Sequence, residues 1–232
     1  MFNKPTILLP KKLNLEKRRL MLRKTFSITD YVTDGIGLWW DAIYNTPSGH
    51  NASSTIWEDL SGNGHNATYN ANNIIGSNYL DVNGYGLQYV ALSTNEKTAL
   101  KSGMCEIVLD PENSISSVCA ILTAFGNAGT VGSVYLKSGS VSFTAGTTAV
   151  SLVLQSGIHY YNSQLWVDGA VASNTSKKDS WATQTTYLGS YTGVTSYPFN
   201  GKIYAIRYYT RILTSAEMTQ NWLVDKARFG IK

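Results

Sequence analysis

WEDLSGNGHNATY, residues 57–69, admits two readings. As a calcium loop it has oxygens at Asp59, Ser61 and Asn63 and a glycine, Gly64, in sixth place. A complete loop of that kind ends on a bidentate Glu in twelfth place, and Asn70 stands there. As a turn it has Asp59 capping the backbone, with Gly62 and Gly64 supplying positive φ between two strands. The turn reading makes the chain a β scaffold with a sharp corner. The other keeps Asp59, Ser61 and Asn63 as candidate calcium ligands.

The flanking sequence carries the turn reading outward. GIGLWWDAI (35–43) reads as a buried strand, and NYLDV (78–82) and GLQYVAL (86–92) lie on either side of an Asn83-Gly84 turn. MCEIVLD (104–110) alternates and stops at Pro111. SVCAILTAF (117–125), SVYLK (133–137) and SVSFTA (140–145) follow, then HYYNSQLWVDGAVA (159–172), TTYLGS (185–190) and GKIYAIRYYT (201–210). Asp168-Gly169 predicts a two-residue type I′ hairpin. Short strands at this spacing, with no alternation of strand and helix, predict an antiparallel all-β sandwich or barrel. One helix is signed near the end. Thr214-Ser215-Ala216-Glu217 is a capping box, Leu213 and Met218 form a hydrophobic staple, and Gly230 is a stop.

Charge divides the chain. Residues 1–24 hold eight Lys/Arg against Glu16, a net +7, which leaves the rest at −3 out of a total of +4. Residues 1–30 read as an extended basic and apolar arm, and residues 31–232 as the body. Lys11, Lys12, Leu15, Arg18, Arg19, Leu22 and Arg23 are the arm's candidate contacts. A mildly acidic body argues against a nucleic-acid partner. No run of about 18 apolar residues predicts a membrane span, and no apolar segment after the basic start reads as a signal peptide. Cys105 and Cys119 sit in apolar runs and read as buried free thiols.

Three stretches together carry a family resemblance: GLWWDAIYNT…STIWEDLSGNGHNATY, QLWVDGAVAS, and FNGKIYAIRYYTRILTSAEMTQNWLVDKARFG. Over about residues 35–230 the chain resembles the concanavalin A-like, laminin-G-type jelly-roll family, in the form found in bacteriophage and prophage structural proteins. The resemblance implies an antiparallel jelly-roll β-sandwich with one short C-terminal helix. It also implies a structural calcium at the Asp59 corner in some members, completed by an acid in the last strand. This chain has Tyr204 and Ala205 there.

Glycosidase chemistry needs two carboxylates about 5–9 Å apart. Glu106 and Asp110 share a strand face about 13 Å apart by strand rise, so they read as polar positions on an outward-facing strand. His50, His65 and His159 have no ligand spacing. Glycan recognition needs aromatic faces beside polar groups. Trp181, Tyr191 and Tyr197, with Asp179 and Asn200 near them, are the candidates. The reading is a non-enzymatic, multi-copy virion protein held by its arm to other virion proteins. The alternative is a carbohydrate-binding adhesin for a bacterial surface glycan, at the cell surface or secreted. A glycoside hydrolase is a minor alternative.

Overall fold

The computed structural model describes residues 26–90, 103–111, 119–122, 134–137, 140–145, 148–153, 157–164, 166–172, 187–190 and 199–232. They form an antiparallel β-sandwich with one long helix. Sheet I contains β1 (Ile36–Asp41), β4 (Ile74–Ile75), β5 (Leu80–Asp81), β7 (Met104–Asp110), β12 (His159–Asn162), β13 (Trp166–Val167), β14 (Ala170–Val171) and β16 (Lys202–Tyr209). Its order is β14-β13-β12-β7-β16-β5-β4, and β1 runs beside β5 along the same edge of β16. Sheet II contains β2 (Ile56–Trp57), β3 (Ala67–Thr68), β6 (Leu87–Tyr89), β8 (Cys119–Leu122), β9 (Val134–Lys137), β10 (Ser140–Ala145), β11 (Thr148–Val153) and β15 (Tyr187–Leu188). Its order is β11-β10-β9-β8-β15-β6-β3-β2.

The main core lies between the sheets. Leu38, Trp40, Ile107, Tyr161 and Ile206 of sheet I meet Trp57, Ala67, Leu87, Val141 and Leu188 of sheet II. Free Cys105 is buried in it, and burial pushes its thiol well above the ordinary range. The side chain of Cys119 lies outside the described residues.

Sheet I is covered on its other face too. Helix α1 (Ser215–Phe229) lies there, begun by the Thr214/Glu217 capping box and ended by Gly230 at φ 73°. Residues 26–30, assigned by the sequence to the arm, join it. Ser27 and Asp30 cap a single 3-10 turn (Ile28–Asp30), and Phe26 and Ile28 pack on Tyr31, Trp39 and Val224.

A bulge decides which β16 residues face the helix. Ile203 pairs with Leu109 and Ala205 with Val108, so Tyr204 is the extra residue. Strict alternation would put Ala205, Arg207 and Tyr209 on the same face as Ile203, in the main core. The extra residue turns them to the helix side. The Asp168-Gly169 hairpin forms as expected, with φ 49° and 83°. A Cβ on Gly169 would also come within 2.8 Å of the Trp222 ring, so turn and packing both require glycine.

Candidate functional site

The opening stretch is a corner between paired strands, Ile56 opposite Thr68 and Trp57 opposite Ala67. Asp59 organises it. Its Oδ1 accepts the amides of Trp39 and Ser61, and its Oδ2 accepts that of His65, at 2.9–3.1 Å. Ser61 Oγ and Asn63 Nδ2 both donate to the carbonyl of Gly37. A single carboxylate already holding three amide hydrogens, beside side chains whose polar hydrogens serve a carbonyl, does not match the carboxylate-rich oxygen shell calcium takes. The corner does not fit calcium. A chelator is therefore expected to leave the melting temperature unchanged. Asp59→Ala should cost about 2 kcal/mol, because buried amides lose their acceptor. Thermal melts with and without chelator check both. A chelator-induced drop would restore the metal.

Among the described residues the largest polar constellation lies under α1, where Glu106 is fully buried. This corrects the outward-facing assignment of that position: the helix covers the face on which it stands. Arg207, also fully buried, donates from Nε to Glu106 Oε2 at 2.8 Å and from both terminal nitrogens to Asp225. Asn221 Nδ2 reaches both Glu106 oxygens and the Tyr209 hydroxyl, and Tyr160 donates to Glu106 Oε1 at 2.7 Å. Tyr31 donates to Asp225 Oδ1 at 2.5 Å and accepts from Arg228. Arg228 in turn binds both oxygens of Asp41, whose Oδ1 also takes the amides of Ile43 and Tyr44.

Three carboxylates face two guanidiniums, and hydroxyl, amide and backbone donors serve the remaining lone pairs. Burial alone would lower Arg207, but Asp225 and Glu106 outweigh it and hold the guanidinium above its ordinary range. Burial pushes the Asp225 carboxyl up, and Arg207 opposes that rise. Burial raises Tyr31 and Tyr160 as well, reinforced by Asp225 beside the first and Glu106 beside the second. A second ion-pair group ties down the start of the helix. Arg211 binds Asp34 and Glu217, and the Arg211 hydrogen bond leads the causes that hold Glu217 down at about 2.

The chemistry of the buried constellation is cohesion. Its acids are bonded to donors and closed to solvent, so it offers no nucleophile and no exchangeable proton to a substrate. It clamps α1 and residues 31–32 to the two middle strands of sheet I, since Val32 N donates to Asn221. Asn221, Asp225 and Arg228 recur at helical spacing on the face that also buries Met218, Val224 and Phe229. That recurrence of polar groups on a core-facing stripe is the signal a sequence reading can use.

Asn200 is exposed, one residue after buried Phe199. Asp179, Trp181, Tyr191 and Tyr197 lie outside the described residues, as do Lys11, Lys12, Leu15, Arg18, Arg19, Leu22 and Arg23. The histidines have separate partners: His50 meets the carbonyl of Ala42, His65 that of Val90, and His159 the carboxylate of Asp168 at 2.6 Å. Among the described residues no three His, Cys, Asp or Glu side chains group around a possible metal, and no helix is long and apolar enough to cross a membrane.

No family model matches the chain, and neither does any curated protein. Solved structures do. The receptor-binding domain of botulinum neurotoxin C/D mosaic serotype superposes with a TM-score of 0.58 at 8% identity, over 83% of this chain and 52% of that one. Trypanosoma rangeli sialidase in complex with sialic acid superposes with a TM-score of 0.55 at 16% identity, over 83% of this chain and 33% of the sialidase. The chain thus spans about half of one neighbour and a third of the other. At these identities the likeness shows a shared β-sandwich fold.

Proposed function

We propose that this chain is a non-enzymatic bacteriophage virion protein whose sandwich binds a surface glycan and whose N-terminal arm anchors it. The observation that carries the non-enzymatic part is the clamp under α1. Glu106, Asp225 and Asp41 are each bonded to a buried arginine, whereas the common form of glycoside hydrolysis uses an acid pair open to substrate. The glycan part draws weak support from neighbours whose descriptions name a receptor-binding domain and a sialic acid complex. The phage setting draws on the sequence resemblance and the basic-apolar arm.

The anchoring role has a mechanical argument. Residues 26–32 are tied to α1 and through Asp225 and Arg207 to the centre of sheet I. Tension on the arm would therefore load the core of the sandwich and not a loop. The full-length protein is expected to bind at least one member of a panel of purified bacterial surface polysaccharides, with chelator present. Binding to none would remove the glycan role. Deleting residues 1–24 should leave the body folded and prevent incorporation into particles; a truncated protein that still incorporates would remove the anchor.

A further inference from the structure

The chain has three Asn-Gly steps, Asn63-Gly64, Asn83-Gly84 and Asn200-Gly201, all at described residues. Asparagine before glycine is the pair at which a side-chain amide is most readily lost in water. The following backbone nitrogen attacks the side-chain carbonyl carbon, and ammonia leaves. Water then opens the resulting cyclic imide to aspartate or isoaspartate. Glycine favours the attack because it has no side chain to block the approach and its backbone turns freely. A fold prevents it by engaging that nitrogen in a hydrogen bond or by leaving the backbone no room to swing.

Two of the three steps are protected in these ways. Asn83 and Gly84, at φ 49° and 73°, form the turn between β5 and β6. The Gly84 amide donates to the carbonyl of Phe199 at 3.1 Å, so the attacking nitrogen is engaged. Gly201 is wedged instead. A Cβ there would come within 2.6 Å of both the Asp110 carbonyl oxygen and the Phe199 ring, and its own carbonyl accepts the amide of Val82.

Asn63-Gly64 has neither restraint. Both residues are exposed, and nothing lies within 4 Å of where a Cβ on Gly64 or Gly62 would stand. Among the described residues the Gly64 amide has no hydrogen-bond partner. The Asn63 side chain makes one hydrogen bond among them, from Nδ2 to the carbonyl of Gly37 at 3.0 Å. That bond has a structural use. The pairing of β1 with β16 steps from Ile36 to Leu38, so Gly37 is an extra residue, and Ser61 and Asn63 tie its carbonyl to the corner.

We infer that Asn63 is a deamidation site and that loss of its amide loosens the Asp59 corner from β1. The bond from Gly64 N to Asn63 Cγ forms as the bond from Cγ to Nδ2 breaks, and the Gly64 proton departs on the ammonia. Water adds to the imide and restores an open chain. The product is a carboxylate, which has no hydrogen to give the Gly37 carbonyl and turns an attraction into a repulsion between oxygens. Isoaspartate also lengthens the main chain by one methylene within the corner.

The full-length protein is incubated in mildly alkaline buffer at physiological temperature, both folded and in denaturant. Peptide mapping by mass spectrometry follows the amide-to-acid mass gain at each Asn-Gly step. In the folded protein Asn63 is expected to convert about tenfold faster than Asn83, the factor that one hydrogen bond on the attacking nitrogen supplies, and faster than Asn200. In denaturant the three rates should converge. Asn83 or Asn200 converting as fast as Asn63 in the folded protein would overturn the site, and so would the same ranking in denaturant, since the fold would then not be selecting Asn63. Aged wild type and Asn63→Asp are both expected to melt a few degrees below fresh wild type, whereas Asn63→Gln should hold its mass through the incubation. Aged protein that is converted at residue 63 and melts with fresh wild type would overturn the loosening of the corner.

Discussion

Arg207→Met is expected to lower the unfolding free energy by about 3–5 kcal/mol, the range seen when one member of a buried ion pair is removed. The size follows from what stays behind. Glu106 and Asp225 would keep their charges at fully buried positions and lose the guanidinium between them. Asn221 and the Tyr160 hydroxyl still serve Glu106, and Tyr31 serves Asp225, but these are neutral donors. Replacing all three charged residues with apolar ones of similar volume should recover much of the loss, because desolvation of three ions then disappears along with their attraction. Denaturant unfolding monitored by tryptophan fluorescence measures both variants. A loss below about 1 kcal/mol for Arg207→Met would mean that the acids take up protons or reach water in the variant.

Trp57→Ala should be comparably severe, about 3–5 kcal/mol, as for other truncations of a large buried aromatic. Trp57 is fully buried where the corner enters the main core. Its ring lies 6.2 Å from that of Trp40 and 6.4 Å from that of Tyr69, and its Nε1 donates to the carbonyl of Asp41 at 3.0 Å. Truncation opens a cavity and leaves that carbonyl without its donor. Trp57→Phe would separate the two effects, since it keeps most of the ring volume and loses the indole N–H. Val171→Ala is the control. Val171 is 71% exposed on an edge strand, and a change there should stay within about 0.5 kcal/mol. If the control and Trp57→Ala cost the same, the packing between the sheets is not what holds this corner.

Both effects arise from groups brought together by the chain's long-range path, and that is where sequence reading stops. Local rules are legible. Asp168-Gly169 forms its hairpin because two adjacent positive φ angles suit few other pairs. Thr214 and Glu217 close a reciprocal cap within one turn. MCEIVLD and SVSFTA form strands with the expected ends at 104–110 and 140–145. The Asp59 corner is legible too, since its side chain bonds amides within six residues as well as that of Trp39. The short β4 and the six-residue β11 escape the reading. Ile74 and Ile75 are too few to show a period, and AVSLV follows β10 after a break with only a weak alternation.

Glu106 marks the boundary most clearly. Alternation along β7 says correctly that Glu106 and Ile107 point to opposite faces, but not that both faces are covered. That depends on α1, more than a hundred residues later. Arg207 depends on more still, because the bulge at Tyr204 sets its face, and a bulge arises from pairing with β7 and leaves no period of its own. By itself the sequence determined most of the sandwich's strands, the Asp168-Gly169 and Asp59 turns, the capped helix and the segregation of basic charge into the first 24 residues. Those features follow from backbone preferences and contacts within a few residues. Only the tertiary structure decided which sheet face the helix seals and which acids it buries. Those outcomes depend on register, on one extra residue in β16, and on charge pairing between groups far apart in the chain.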